Sequence, residues 1–271
     1  MITIGIDVGS RYTKIIAPHT KSIYPSLLTP PAVFGQTKYV HLPKPVEVFI
    51  DSSPPVCISS LSTTGGYTIL DSHDFIPTIV LAFVGLMVEG SVNIVLGVPY
   101  YIKDFDRICL DIEGRHSITY KKGEVQKQKE IAVRNVEIFT STLGAQKEGY
   151  GVIDVGYGKV CLCYKDDITP LPVSFENVLD EVLKEVNMPK TELEQNVSNI
   201  YSQVFRNATV EILKYAVAKW RRNPPQKVII TGGGAEAIKN YVSHSNFVIP
   251  KEPIFYNLVG LLEKQKVTQQ Q

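Results

Sequence analysis

Two short segments of this chain carry the residue types and spacing from which chemistry can be built. Asp7-Val8-Gly9 and Asp154-Val155-Gly156 each close an apolar run, Ile2 to Ile6 and Gly151 to Ile153, with an aspartate followed by a glycine that lets the chain turn. Backbone N–H groups in such a turn can face phosphate oxygens without help from a basic side chain. The carboxylates cannot ligate phosphate directly, because like charges repel. Their useful partner is a hydrated magnesium ion bridging carboxylate and phosphate. A single Asp-x-Gly is a common hairpin turn. Two copies, each following a buried strand, argue for a clamp that holds a polyphosphate from both sides.

A third segment suits the same task. Val228 to Thr231 runs into Gly232, Gly233 and Gly234, and the helical pattern Ala235-Glu236-Ala237-Ile238 follows. Glycines at a strand-to-helix turn allow close backbone approach to a flat ring or a phosphate. The chain contains no G-x-x-x-x-G-K-[ST] and no G-x-G-x-x-G, so P-loop and Rossmann readings lack support.

The elements that must position these turns are short apolar runs of the kind buried on both faces of a sheet: Ile2 to Ile6, Val92 to Leu96, Gly151 to Val155 and Val228 to Thr231. Helical patterns lie between them. Phe175, Val178, Leu179, Val182 and Val186 mark one face of a helix, and Val197, Ile200, Tyr201, Val204 and Ala208 mark a longer stripe within Thr191 to Arg222. Phe75 to Val88 reads as a core helix, with Asp74 placed to cap it and Pro77 in its first turn. It is shorter than the roughly 20 residues that span a bilayer. The expectation is an α/β protein with a lobe boundary near Gly144 to Gly149.

Composition bounds the rest. The 271 residues are 44% hydrophobic and 20% charged, as expected of a chain that buries real cores. Only Gln265 to Gln271 reads as a disordered tail. The net charge of +1 gives no global field for nucleic acid, and Lys121, Lys122, Lys127 and Lys129 read as a solvated face. Four cysteines make no disulfide framework, and Cys161 and Cys163 lack the partners of a zinc site, so they read as buried thiols. Met1 leads straight into a strand with no basic leader region, so the expected location is cytoplasmic, without a membrane segment.

These three segments resemble the phosphate-one, phosphate-two and adenosine motifs of the ATPase superfamily of actins, heat-shock chaperones and sugar kinases. The resemblance implies a two-lobed, actin-like fold, a duplicated ribonuclease H-like architecture with a nucleotide cleft between lobes of residues 1–145 and 146–249, with 250–271 returning to the first. It assigns ATP or ADP contacts to Gly9, Ser10, Arg11 and Lys14 of the first hairpin and to Gly156, Tyr157 and Gly158 of the second. The adenosine loop becomes Gly232, Gly233, Gly234 and Ala235. Asp7 and Asp154 become the carboxylates of a magnesium ion, held through water. Tyr24-Pro25-Ser26 after the second strand, Leu96-Gly97-Val98-Pro99 with Asp106-Arg107, and Phe255 to Gly260 are similar to markers of the plasmid-segregation actins of the ParM type. That likeness implies a self-assembling, filament-forming ATPase, working in DNA segregation through a DNA-binding adaptor or in another cytoskeletal role, with no nucleic-acid contact of its own.

The sequence departs from the family at the residue that orients the attacking water. That position falls on Ser141 or Thr140, and a hydroxyl is a far weaker base than a carboxylate. Slow hydrolysis follows, unless Glu137 or Glu148 stands in. The segment between the second hairpin and the adenosine loop is also short, which implies a reduced outer part of the second lobe. Two other functions share the superfold. A small-molecule kinase needs a general-base aspartate facing a substrate hydroxyl, for which the sequence offers no candidate. An ATP-dependent activator protein bridges an iron–sulfur cluster with cysteines, and Cys109 and Cys161 lack the expected glycine-rich setting.

Overall fold

The structure is a computed structural model that describes residues 2–10, 12–29, 46–51, 53, 56–58, 67–68, 74–122, 124–174, 178 and 190–268. Its contacts divide the chain into two compact units, residues 1–141 with 261–271 and residues 142–260. The sequence reading puts these passages at 145/146 and 249/250.

The first unit is built on one sheet. Its strands are β1 (Ile2–Val8), β2 (Tyr12–Ala17), β3 (Thr20–Pro25), β4 (Leu27–Thr29), β5 (Val46–Ile50), β6 (Val56–Ile58), β7 (Tyr67–Thr68), β8 (Gly90–Val98), β9 (Gly114–Lys122) and β10 (Val125–Thr140). They are ordered β3-β2-β1-β8-β10-β9-β5-β6-β4-β7. β1 pairs antiparallel with β2 and parallel with β8, and β8 pairs parallel with β10. Ile4, Ile6, Ile94 and Leu96 are fully buried, as their continuous apolar runs require. Helix α1 (Phe75–Met87) packs into this core through Ile76, Ile79, Val80 and Phe83, and Phe83 stacks on Tyr24 at 4.6 Å between ring centroids.

Asp74 precedes α1 but makes no capping hydrogen bond; its carboxylate instead meets Arg107 Nη2 at 3.0 Å. Helix α2 (Phe105–Ile112), which carries Arg107, is capped by Asp104, whose Oδ1 accepts from the Arg107 backbone N–H. Tyr24-Pro25 closes the third strand, not the second, and the Ser26 hydroxyl pairs with that of Thr13 at 2.8 Å.

The second unit repeats the opening of the first. Strands β11 (Tyr150–Val155), β12 (Val160–Tyr164), β13 (Asp167–Pro170), β14 (Lys227–Thr231) and β15 (Phe247–Val248) are ordered β13-β12-β11-β14-β15. Three strands in antiparallel succession are followed by two parallel ones, the same sequence of pairings as β3-β2-β1-β8-β10. The echo between the two Asp-x-Gly segments is therefore an echo of topology. Helix α3 (Lys190–Trp220) covers this sheet, with Val204, Ala208, Ile212 and Trp220 buried against Ile153 and Ile230. Of the proposed stripe from Phe175 to Val186, only Val178 lies within the described residues, and it is buried. Val197, Ile200 and Tyr201 lie on α3, their side chains outside the description.

Helices α4 (Ala235–Ile238) and α5 (Pro253–Thr268) complete the chain. The last turn of α5 corrects the expected disordered tail. Gln265 is buried, and its amide donates to Glu137 Oε1 at 3.2 Å. One polar residue on the inner face of a helix is held when it has such a partner. Among the described residues no helix is long and apolar enough to cross a membrane.

Candidate functional site

In the first unit the chemistry gathers at the end of β1. The β1–β2 register sets Asp7 directly opposite Lys14, so both side chains leave the same face of the hairpin. Lys14 Nζ reaches Asp7 Oδ2 at 2.8 Å, and the Gly9 N–H closes the turn by donating to Tyr12 O. Ser141, the first residue after β10, donates its hydroxyl to Asp7 Oδ1 at 2.5 Å. Gly97, opposite Asp7 on β8, makes room for that bond. A Cβ there would sit 3.0 Å from Ser141 Oγ and 3.4 Å from Asp7 Oδ1. Asp7 is only 2% exposed and has a charged donor on one oxygen and a neutral donor on the other. Burial of a carboxylate is tolerable with such partners.

Of the sequence candidates here, Gly9 and Ser10 lie in the turn, half-buried, and Arg11 lies outside the described residues. Ser141 is placed on Asp7, with its hydrogen engaged and its lone pairs left to accept. Thr140 ends β10, half-buried. Glu137 is tied to Gln265, and Glu148 is exposed in a turn.

In the second unit the corresponding residue is Asp154, half-buried at the end of β11. Its opposite on β12 is Cys161 rather than a lysine. Asp154 Oδ2 accepts from Thr142 Oγ1 and from Asn257 Nδ2, each at 3.0 Å. Oδ1 faces the glycine-rich turn, where a Cβ on Gly232 would come within 2.6 Å of it and of Val155 O. Gly232 holds φ +92, which only glycine adopts readily. The turn is pinned by Gly234 N–H donating to Val155 O at 2.9 Å, Gly232 N–H to Pro253 O at 3.0 Å, and Thr231 Oγ1 to Pro253 O at 2.7 Å. Gly233 is different. It is exposed, and a Cβ there would meet only Ile254 Cδ1, at an ordinary contact distance of 3.8 Å. Ala235 is fully buried and has only its backbone to offer. Tyr157 and Gly158 lie in the half-buried turn after Gly156.

Sequence reasoning missed Thr142 and Asn257. Thr142 lies 12 residues before Asp154, and Asn257, within the Phe255 to Gly260 marker, lies 103 residues after it, and neither stretch of sequence ties its side chain to that carboxylate. Burial pushes the Cys161 thiol up to about 12, and the neighbouring Asp154 charge adds to the shift. Such a thiol is inert, in keeping with the reading of a buried structural cysteine.

The donor set fits magnesium. Carboxylate oxygens are its ligands, and it keeps most of its waters, so one or two carboxylates suffice. Among the described residues no cluster of three or more His, Cys, Asp or Glu exists that would favour a dehydrated metal.

The repeated topology with one Asp-x-Gly turn per copy defines an actin-like fold, and solved structures agree. The chain is similar over 99% of its length to 98% of the apo pSK41 ParM protein, with 16% identity and a TM-score of 0.70. It matches Bacillus thuringiensis ParM with ADP over 99% of both chains at 12% identity and TM-score 0.72, and an archaeal actin homologue over 98% of this chain and 100% of that one at 16% identity and TM-score 0.67. An Alp12 filament structure matches over 99% of both at 13% identity and TM-score 0.65. No family model matches the chain, and neither does any curated protein sequence.

Proposed function

We propose that this protein is an actin-like ATPase that binds ATP and ADP with magnesium, hydrolyses ATP slowly and assembles into nucleotide-dependent filaments. The observation that carries this reading is the pair of strand-end aspartates, one in each topological repeat, with the glycine-rich turn set against the second. Asp7 and Asp154 would hold hydrated magnesium, which neutralises phosphate charge when bound. Backbone N–H groups of the two turns, together with Ser10 and Lys14, would contact phosphate, and Gly232 to Ala235 would lie along the adenosine. Similar folds have been solved with ADP, ATP and AMPPNP, and one as a filament, which supports both halves of the reading.

Slow hydrolysis rests on Ser141. Its proton is committed to Asp7, so it can accept a hydrogen bond from water but cannot act as a base. Cytoplasmic DNA segregation through a DNA-binding adaptor is the role we propose for the polymer. Head-to-tail contacts that do not close make such a filament.

Sedimentation and electron microscopy test the reading. Above a critical concentration the protein should pellet with magnesium and ATP and do so less with ADP, because nucleotide can shift assembly only through unequal affinity for polymer and monomer. Phosphate release should lag behind assembly. A chain that stays monomeric in every nucleotide state, and consumes ATP only with a small hydroxylated substrate, would make it a kinase instead.

A further inference from the structure

We infer that Thr142 and Asn257 are positioning residues for Asp154, fixing one of its oxygens so that the other is presented toward the glycine-rich turn for a magnesium–nucleotide ligand. The inference rests on the nucleotide reading above and goes beyond it, since neither residue belongs to the motifs that suggest nucleotide binding.

Three observations carry it. Both donors converge on the same oxygen, Oδ2, at the same distance of 3.0 Å, from two segments far apart in the chain. Two donors on one oxygen fix the plane of the carboxylate, so Oδ1 must point elsewhere, and it points at Gly232. Thr142 and Asn257 are each only 4% exposed, so neither is free to turn to solvent.

A further observation concerns the amide itself. Asn257 Oδ1 is buried and has no hydrogen-bond partner among the described residues. An unpaired buried acceptor is a cost that a leucine at this helix position would not carry. Rotating the amide would set Oδ1 against the Asp154 carboxylate, oxygen to oxygen, so its orientation follows from that neighbour. An asparagine kept under these conditions is explained by its Nδ2 donor to Asp154. The chain also enters the second unit at Thr142 and leaves it after Gly260, three residues beyond Asn257. The carboxylate is thus held by both segments through which the second unit is connected.

The proposed role is that of the outer-shell partner of a metal ligand, whose loss typically weakens metal affinity by about 10- to 100-fold. The experiment measures ATP and ADP affinity by calorimetry, with magnesium and with excess chelator, for wild type, Thr142→Val, Thr142→Ser, Asn257→Ala and the Thr142→Val/Asn257→Ala pair. Thermal melts report folding. The gain in affinity from magnesium should fall about tenfold or more in Thr142→Val and in Asn257→Ala, while affinity in chelator stays near wild type. Thr142→Ser keeps the donor and should keep the gain. Because both donors serve one oxygen, the paired variant should lose less than the product of the two single losses.

If wild type binds no nucleotide with or without magnesium, the functional reading falls. If wild type shows the magnesium gain and folded Thr142→Val and Asn257→Ala keep it in full, the positioning role alone falls. Should Thr142→Val fail to fold, Asn257→Ala and Thr142→Ser still decide the matter.

Discussion

Asp7 and Asp154 occupy the same place in two copies of one topology, yet their surroundings are opposite in character. The residue opposite Asp7 across the hairpin is Lys14, and the residue opposite Asp154 is Cys161. One carboxylate is buried with an ammonium 2.8 Å away. The other is half-buried, holds two neutral donors on one oxygen, and raises the pKa of its neighbouring thiol. The Asp-x-Gly motif therefore sets the backbone turn, while the residue it meets on the next strand sets the electrostatics. Asp7 thus carries a compensating ammonium within its own hairpin, and Asp154 does not receive one from the residue opposite it.

The largest contrast should appear on removing each carboxylate. Asp154→Ala should abolish magnesium-dependent ATP turnover at a smaller cost in stability, about 1 kcal/mol, since the donors of Thr142 and Asn257 that it leaves without an acceptor are neutral. Asp7→Ala should also abolish turnover but cost about 3 kcal/mol, because the Lys14 ammonium is left largely buried without its partner. Denaturant titration and phosphate release measure both. If Asp154→Ala proved the more destabilising, or kept wild-type turnover, the division of roles would be wrong.

A smaller effect separates two neighbouring glycines on the Asp154 side. Gly232 is required by its φ and by the closeness of Asp154 Oδ1, so any substitution there confuses folding with binding. Gly233 is exposed and has room for a Cβ, and Gly233→Val should leave the melting temperature nearly unchanged. Nucleotide affinity should nonetheless drop about tenfold or more, about 1.4 kcal/mol, if adenosine lies against it. Equal affinities for Gly233→Val and wild type would make the turn purely structural.

What the sequence made legible follows from the same physics. Continuous apolar runs announced β1, β8, β11 and β14, because strands buried on both faces leave no room for alternation. The two aspartates and the glycine turn were visible because turn chemistry is local. Their partners were not. Lys14 and Ser141 were named through the family resemblance as nucleotide and water contacts, but their bonds to Asp7 follow from the hairpin register and from the turn after β10, and Gly97 reaches it from β8. Asn257 reaches Asp154 across 103 residues, and Thr142 through the turn that leads into β11. Asp74 misled because a local capping rule could not anticipate the competing guanidinium of Arg107. Gln265 misled because a polar, low-complexity end looks solvated until its contact with the half-buried Glu137 is found.

The smallest effect lies with Cys161 itself. Its thiol is 5% exposed and pushed up to about 12, first by burial and then by the Asp154 charge, whereas an unfolded chain releases that proton near 8.5. The folded state therefore keeps a proton that the unfolded state gives up. The contribution of this group is fully present below the unfolded value and is lost as pH rises above it. Between pH 8 and 9.5 the loss should reach about 1 kcal/mol. Cys161→Ala removes the titrating group, so the stability difference between wild type and Cys161→Ala should shift by that amount across this window. A wild-type-minus-Cys161→Ala difference that stays flat from pH 8 to 9.5 would mean that the thiol is not held neutral beside Asp154, and the electrostatic contrast between the two hairpins would lose its second half.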